Sequence, residues 1–343
     1  MPSRPKIAVI IIAYNSRAQI GACLTALRVQ TRAPAEIILV ENGSAPDKRV
    51  DPDDLGPDIT YIDSPDNLGF AGANNLAARR ARSPWIALLN PDAFAEPDWI
   101  EALEAAIARY PTDRVFGSLQ YSADDPGKLD GAGDVYHAIG FPWRGGYGAP
   151  VEDAPQADAT VFSACGAAML IERDLFLALG GFDEAFFCYC EDVDLGYKAR
   201  LAGERVIQLA GARVRHVGSA SSEGSWHFAF HHGVRNRLWT YLQNTPLALL
   251  LLTAPLHAAA TGVQLLSAVR RGRGRAFLAA LNDGLSDWNR VMAVRRERQR
   301  ARVASTLRIA SAMSWSPVVL VRGAMDLRRL PIDLASGAPD EAV

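Results

Sequence analysis

The sequence predicts an α/β fold with a mostly parallel central sheet flanked by helices, and two observations lead to this prediction. Short apolar runs rich in Ile and Val alternate with stretches of helical spacing, which is typical of strands joined by crossover helices. The first run, Ile7–Ala13, is apolar throughout, as expected for a strand buried on both faces of a parallel sheet. The length of 343 residues allows one large domain with an appendage, or two domains.

The elements are predicted in order along the first quarter of the chain. Tyr14, Asn15 and Ser16 end the first strand, and Ser16 is predicted to cap a helix over residues 18–29. The other elements predicted here are strands at residues 36–40, 59–62 and 85–89 and a helix at residues 71–81.

Polar side chains follow three of these strands, where ligands bind in parallel α/β sheets. They are Tyr14-Asn15, Glu41-Asn42 and Asn90-Pro91-Asp92. A carboxylate in the position of Asp92 can hold Mg²⁺ or Mn²⁺ together with substrate phosphates, or it can simply cap the next helix. The Gly- and Asn-rich loop at 67–75 allows close backbone approach to a phosphate, or is an ordinary turn.

The stretch at residues 180–195 contains five acids, with Phe186, Phe187 and Tyr189 between them. Acids among aromatic rings suit a general base in a partly desolvated pocket, where the pKa of a carboxyl group can rise toward neutrality. The alternative is that these acids only stabilise the N-terminus of the following helix, by a few tenths of a kcal/mol.

Charge is distributed unevenly along the chain. Residues 1–200 carry 17 Lys and Arg against 29 Asp and Glu, and the remainder carries 19 against 9. An acidic front suits a metal site, and a basic back suits an anionic surface rather than a nucleic acid. Four scattered cysteines without zinc spacing, and an N-terminus without a signal-peptide pattern, predict a reduced, cytoplasmic environment.

The apolar run at residues 246–269 is long enough to span a bilayer as a helix, although Pro255, His257 and Gln264 make a span marginal. Arg270, Arg271 and further arginines follow, which favours peripheral attachment to anionic lipid on the inner face of the membrane. The alternative is a helical interface in a homodimer. The tail after Pro331 is predicted to be disordered.

Eight motifs occur in a characteristic order. They are Ile-Ile-Ile-Ala-Tyr-Asn (10–15), Val-Glu-Asn-Gly-Ser (40–44), Asn-Leu-Gly-Phe-Ala-Gly-Ala-Asn-Asn (67–75), Leu-Asn-Pro-Asp (89–92), Cys-Gly-Ala-Ala-Met-Leu-Ile (165–171), Gly-Gly-Phe-Asp-Glu (180–184), Phe-Phe (186–187) and Glu-Asp-Val-Asp-Leu (191–195). This set resembles family 2 inverting glycosyltransferases of the GT-A fold, in the branch that includes bacterial rhamnosyltransferases and galactofuranosyltransferases. The resemblance covers about residues 6–240.

The resemblance implies a GT-A catalytic domain over residues 1–240. The apolar run and the arginines beyond it predict a helical, basic, membrane-associated or dimerising extension over 241–343. It implies a dTDP- or UDP-sugar donor, with rhamnose as a candidate, and a polysaccharide or lipid-linked glycan acceptor in cell-envelope synthesis. It implies that these residues bind the nucleotide-sugar: Tyr14, Asn15, Glu41, Asn67, Gly69, Phe70, Asn74, Asn90 and Asp92. Glu41 departs from the family, which usually has Asp at the contact with the base.

The resemblance also assigns roles in the reaction. Asp192 matches the general base, and Glu191 is the neighbour that would share that role or orient the acceptor. Asp92 and His216 match the ligands of a Mg²⁺ or Mn²⁺ cofactor. For the acceptor site the residues implied are Asp183 and Glu184, with capping of the segment after Gly180-Gly181 as the alternative. Arg235 is interpreted as a diphosphate or lipid-phosphate contact, with core packing as the alternative.

Two other functions remain open at this point. One is a sugar-phosphate nucleotidyltransferase, although the Gly-rich start with downstream basic residues that this class uses is absent. The other is a non-catalytic glycan-binding scaffold, against which the intact Asp92 and Asp192 argue.

Overall fold

The computed structural model describes residues 6–218 and 226–330. Its strands are β1 Ile7–Ala13, β2 Glu36–Asn42, β3 Ile59–Ser64, β4 Trp85–Leu89, β5 Ala93–Ala95, β6 Val115–Ser122, β7 Leu129–Gly131, β8 Asp134–His137, β9 Phe141–Arg144, β10 Ala159–Thr160, β11 Ala168–Glu172, β12 Ile207–His216 and β13 Arg328–Arg329. Its α-helices are α1 Arg17–Arg28, α2 Gly69–Arg80, α3 Trp99–Arg109, α4 Arg173–Ala178, α5 Glu191–Leu201, α6 Trp226–Asn244, α7 Leu247–Arg270, α8 Gly274–Ser286, α9 Trp288–Ala301, α10 Thr306–Ala312 and α11 Pro317–Arg322. The predicted disordered tail lies outside the described residues.

One large mixed sheet forms the centre of the fold. Its strand order is β13-β10-β12-β6-β11-β4-β1-β2-β3, with β5 beside β12 and β7 beside β6. The four strands predicted from the first quarter of the chain pair in parallel with one another, as expected. However, β11 runs antiparallel to both β4 and β6, so only part of the sheet is parallel. An apolar run indicates a buried strand but carries no information about its direction.

The strand β1 lies at the core, and all seven of its residues are buried. Because successive side chains of a strand point to opposite faces, Val9 and Ile11 join the apolar layer on one side of the sheet, and Ile10 and Ile12 join the layer on the other. Helices cover both layers, which explains why this run is apolar throughout.

Two helix starts differ from the prediction. Ser16 precedes α1, but its hydroxyl donates to the carbonyl of Tyr14 (2.9 Å) and does not cap the helix. Helix α2 begins at Gly69, two residues early, with a φ of +69° at that glycine. A Cβ at Gly69 would lie 2.4 Å from the carbonyl oxygen of Phe187, so only glycine lets the two segments meet here.

The C-terminal helices pack back onto the first part of the chain. The predicted domain boundary near residue 240 falls inside α6, and that division stays a prediction. Arg298 of α9 forms a buried ion pair with Asp194 of α5, and β13 adds an antiparallel strand to β10. Part of the basic excess of the C-terminal half therefore has partners inside the protein.

Helix α7 is the one helix among the described residues that is long and apolar enough to cross a membrane by length and composition. Four of its residues are buried, among them Thr253 and His257. The hydroxyl of Thr253 bonds that of Tyr241 (2.8 Å), and Nδ1 of His257 donates to the carbonyl of Ile139 (2.7 Å). One side of α7 is therefore held against the protein.

Candidate active site

A cavity of about 700 Å³ lies at the carboxyl ends of β1, β2 and β4, beside the N-terminus of α5. Parallel strands end at the same edge of a sheet, so the polar residues that follow them converge there. Ten of the predicted site residues line this cavity: Tyr14, Asn15, Asn67, Gly69, Phe70, Asn90, Asp92, Glu191, Asp192 and His216.

Asp192 sits in the first turn of α5 and is held by backbone groups. Its Oδ2 accepts the N–H of Gly166 (2.9 Å), and its Oδ1 accepts the N–H of Val193 (2.8 Å). The hydroxyl of Ser163 donates to its carbonyl (2.8 Å). These contacts tie the carboxylate to the turn before β11 and fix its orientation in the cavity.

The backbone before α5 is strained. Phe187, Tyr189 and Cys190 all have positive φ angles, between 63° and 71°, which residues with a Cβ rarely adopt. The amide of Asn236 holds this segment, because its Nδ2 lies within 2.9 Å of the carbonyl oxygens of Phe186, Cys188 and Tyr189. The helix α6 thus stabilises the turn that presents Glu191 and Asp192.

Two further acids in the cavity wall, Glu191 and Asp134, are buried beside Asp192. Burial raises the pKa of Glu191 well above its usual range, and the charge of Asp192 adds to the shift. The pKa of Asp134 is raised for the same two reasons, in the same order. Neither Oε2 of Glu191 nor Oδ2 of Asp134 has a hydrogen-bond partner among the described residues.

Asp92 and His216 face each other across another part of the cavity, with Nε2 of His216 3.3 Å from Oδ1 of Asp92. Asn90 also approaches Nε2 (3.2 Å). The buried carboxylate of Asp130 holds Nδ1 of His216 (2.7 Å) and also pairs with Arg144. Burial alone would lower the pKa of His216, but the hydrogen bonds and charges of Asp130 and Asp92 outweigh it and raise the pKa.

The donor set at Asp92 and His216 fits a divalent metal. A carboxylate on the remote ring nitrogen is the usual partner of a metal-binding histidine, since it fixes the tautomer and leaves Nε2 for the ion. Among residues 6–218 and 226–330, no three His, Cys, Asp or Glu side chains are grouped as a complete metal site. Phosphates and waters would have to supply the remaining ligands.

Two residues predicted to bind the nucleotide-sugar do not line the cavity. The carboxylate of Glu41 is fully buried, and it accepts the N–H groups of Ser44 (3.0 Å) and Val50 (2.9 Å). The amide of Asn74 donates to the carbonyl of Phe70 (2.9 Å) inside α2. These polar groups have backbone partners in this structure, and a role for Glu41 and Asn74 in nucleotide binding stays a prediction.

The three residues predicted at the acceptor site also lie outside the cavity lining. Asp183 pairs with Arg290 (3.1 Å), and Glu184 accepts the amide of Asn75 (3.0 Å). Arg235 lies over the ring of Trp239 and donates to the carbonyl of Ala185 (3.1 Å), so it stabilises the strained segment. The geometry brings none of the three to the cavity.

Sequence reasoning missed a wall of the cavity that comes from the β8–β9 hairpin, with Asp134, Trp143 and Arg144. The stretch from 121 to 149 is rich in Gly, Trp and Tyr, and its short strands have no readable period. Asn42, the last residue of β2, also lines the cavity, and its amide donates to Oδ1 of Asn67 (3.1 Å). Its position at a strand end indicated a place near the ligand, but the resemblance assigned the nucleotide contact to Glu41 instead.

The cavity lies at the strand ends of a mixed α/β sheet and contains a fixed carboxylate and an Asp–His pair, an arrangement that suits an enzyme active site. The sequence model of the family described as "Glycosyl transferase family 2" matches residues 8–178. The chain belongs to this family, and it is a glycosyltransferase of the rhamnosyltransferase-like branch.

The chain is similar in sequence to a curated relative and in fold to two solved structures. The relative is the N-acetylglucosaminyl-diphospho-decaprenol L-rhamnosyltransferase of Mycobacterium tuberculosis, 27% identical over 251 residues, or 65% of this chain and 80% of the relative. The structure of GalNAc-T7 with UDP, GalNAc and Mn²⁺ aligns with a TM-score of 0.55 and 15% identity, over 71% of this chain and 48% of that one. The mannosyltransferase PcManGT of Pyrobaculum calidifontis, with GDP-Man and Mn²⁺, aligns with a TM-score of 0.50 and 18% identity, over 90% and 87%. These likenesses confirm the predicted GT-A fold.

Proposed function

We propose that this glycosyltransferase is an inverting, metal-dependent enzyme. It moves a sugar from a nucleotide-diphosphate donor to a polysaccharide or lipid-linked glycan in cell-envelope synthesis, at the cytoplasmic side of the membrane. The observation that carries the proposal is that Asp192 lines the same cavity as Asp92 and His216. The name of the mycobacterial relative supports a lipid-linked acceptor and makes rhamnose the first sugar to test, from a dTDP or UDP donor.

Asp192 is the base in this proposal. Its carboxylate takes the proton from an acceptor hydroxyl while that oxygen bonds to the anomeric carbon of the donor sugar. The bond from that carbon to the nucleotide diphosphate breaks in the same displacement, so the configuration inverts and no covalent enzyme intermediate forms. The contacts of Asp192 with Gly166 and Val193 keep the carboxylate in place for this step.

Asp92 and His216 would hold a Mg²⁺ or Mn²⁺ ion, with Mn²⁺ slightly favoured by an imidazole ligand. Such an ion neutralises negative charge on a departing diphosphate. Asp130 keeps His216 oriented through its Nδ1, and Asn90 lies against the same ring. Tyr14, Asn15 and Asn67, which line the cavity at the strand ends and just before α2, would contact the nucleotide.

The function is tested with a panel of nucleotide-sugars and a polyprenyl-diphosphate-linked sugar acceptor. We expect one dTDP- or UDP-sugar to raise the melting temperature of the protein and to be consumed with release of the free nucleotide diphosphate. The anomeric configuration of the product, determined by NMR, should be opposite to that of the donor. A retained configuration would contradict the inverting mechanism, and no turnover of any donor would contradict the proposed function.

Metal removal is expected to abolish transfer. Chelation with EDTA should remove activity, and Mg²⁺ or Mn²⁺ should restore it, because the diphosphate charge would otherwise lack a counter-ion. Asp92→Ala should require a higher metal concentration and should weaken the metal-dependent thermal shift produced by the nucleotide diphosphate. Full activity in chelator would remove Asp92 and His216 from the metal role.

Helix α7 is the proposed membrane contact. Its solvent side carries seven large apolar residues: Leu247, Leu251, Leu252, Leu256, Val263, Leu266 and Val269. Exposed arginines follow directly, at positions 270, 271, 273 and 275. Because Thr253 and His257 hold the other side against the protein, the helix suits a position on the bilayer surface rather than a crossing.

Leu252→Glu with Leu256→Glu is expected to abolish sedimentation with anionic vesicles at low salt. Two charges on the exposed apolar side oppose both insertion and attraction to acidic lipid. The control is Val29→Glu, since Val29 is 60% exposed, against 64% and 60% for the two leucines, but lies at the end of α1. If the double variant still sediments while a dimer seen by light scattering is lost, α7 is a dimer interface instead.

A further inference from the structure

The β8–β9 hairpin brings a carboxyl group, Asp134, into the wall of the cavity near Asp192. Asp134 is the first residue of β8 and is 5% exposed. The backbones of Asp134 and Ser163 exchange two hydrogen bonds: the N–H of Asp134 donates to the carbonyl of Ser163 (2.9 Å), and the N–H of Ser163 donates to the carbonyl of Asp134 (3.3 Å). Since the hydroxyl of Ser163 also bonds the carbonyl of Asp192, one residue links the backbones that carry the two acids.

The side chain of Asp134 is incompletely bonded within the protein. Its Oδ2 is buried and has no hydrogen-bond partner among the described residues, although the residue lines the cavity. Buried acceptors without partners are rare because they lose their bonds to water without replacement. Because Asp134 lines the cavity, a ligand bound there can supply the hydrogen bond that this carboxyl group lacks.

The surroundings of Asp134 define the chemistry of that ligand. The charge of the neighbouring Asp192 opposes an anionic group such as a phosphate at this point of the wall. Arg144 lies on the neighbouring strand, but its guanidinium is paired with Asp130 (2.5 Å). A sugar hydroxyl is neutral, and it can both donate to and accept from a carboxyl group, so it fits whichever protonation state Asp134 has.

We propose that Asp134 binds a hydroxyl group of one of the two reacting sugars, next to Asp192, and thereby selects that sugar. This inference rests on the proposed glycosyl transfer. Asp134 acts in recognition, and Asp192 remains the group that takes the proton.

The test compares Asp134→Ala and Asp134→Asn with the wild-type protein, with KM and kcat measured for donor and acceptor separately. The Ala variant should raise the KM of one sugar substrate by about 10- to 150-fold, as expected for a lost hydrogen bond to an ionisable group. The Asn variant should recover part of this loss, because an amide still bonds a hydroxyl. Both should keep or raise the melting temperature, because they remove an acid that repels Asp192.

The matched control is Asp113→Ala. Asp113 is equally buried, but both of its oxygens are bonded by Arg205 at 2.7 Å, and it lies outside the cavity lining. This variant should lower the melting temperature and leave both KM values unchanged. It therefore shows how the loss of a purely structural carboxylate changes the melting temperature and the KM values of this protein.

Deoxygenated substrates identify the sugar. If Asp134 contacts a given hydroxyl, then the donor or acceptor analogue without that hydroxyl should be an equally poor substrate for the wild type and for Asp134→Ala. Unchanged KM values in the Ala variant would overturn the inference, and so would a fall in kcat alone or a loss of stability alone. An inactive wild type would instead overturn the proposed function, and this inference with it.

Discussion

Asp192→Asn is expected to lower kcat for sugar transfer by about 10²- to 10⁴-fold, the contribution typical of a positioned general base. The amide has the size and shape of the carboxylate and can still lie against Gly166, but it cannot take the proton of the acceptor hydroxyl. Donor affinity should be unchanged, because Asp92 and the strand-end residues are intact. Initial rates and donor-induced thermal shifts measure the two effects separately.

Glu191→Gln is the comparison that separates the two neighbouring acids. Consecutive residues at a helix start point in different directions, so only one of them should act as the base. Burial keeps the pKa of Glu191 well above its usual range, which favours the neutral form of this group. We expect the Gln variant to retain much more activity than Asp192→Asn. The reverse order would transfer the role of base to Glu191.

The strands that place this site could be predicted because burial on both faces leaves a continuous apolar run. Every residue of β1 is buried, and Ile37–Asn42 of β2 are buried as well. The hairpin β8–β9 could not be predicted in this way. Its strands have four residues each, and its Gly-rich surroundings have no period of two. Contacts distant in sequence, such as Gly140 against Tyr241, set its position.

Position along a motif predicted which residues reach the cavity edge, but it did not predict which way each side chain turns. Glu41 and Asn42 are adjacent at the end of β2, and successive residues of a strand face opposite sides. Only Asn42 lines the cavity, while Glu41 bonds the loop that follows it. Asp134 and Asp192 are 58 positions apart in the chain, and Ser163 links their backbones. No pattern in a single sequence predicts that these two distant residues lie next to each other.

The same hairpin connects the two regions for which functions are proposed above. Its tip, at Ile139, accepts a hydrogen bond from His257 of α7, and its base carries Asp134 and Arg144 into the cavity. The surface proposed to contact lipid therefore lies one hairpin away from the wall proposed to contact sugar. A lipid-linked acceptor needs this proximity, since its sugar must reach Asp192 while its lipid stays in the bilayer.

Asp194→Ala is expected to destabilise the protein by about 3–5 kcal/mol, because it removes the fully buried carboxylate that pairs with both Arg298 and the buried Lys198. Asp194 is fully buried, and Arg298 binds both of its oxygens, at 2.5 and 3.0 Å. Burial alone would raise the pKa of Asp194, but the charges of Arg298 and Lys198 and the hydrogen bonds of Arg298 and Asn244 lower it. Urea unfolding at neutral pH measures the loss.

The lowered pKa also fixes the sign of a pH effect. The stabilisation from Asp194 is complete above the usual Asp pKa of 3.8 and is lost as the pH falls through the lower pKa of the folded state. The difference in stability between wild type and Asp194→Ala should therefore shrink below about pH 4. Asp98→Ala is the control, because Asp98 and Arg213 form a half-exposed pair (3.3 Å) worth at most about 1 kcal/mol. Equal losses from the two variants would mean that α5 and α9 are held together by apolar packing and not by this ion pair.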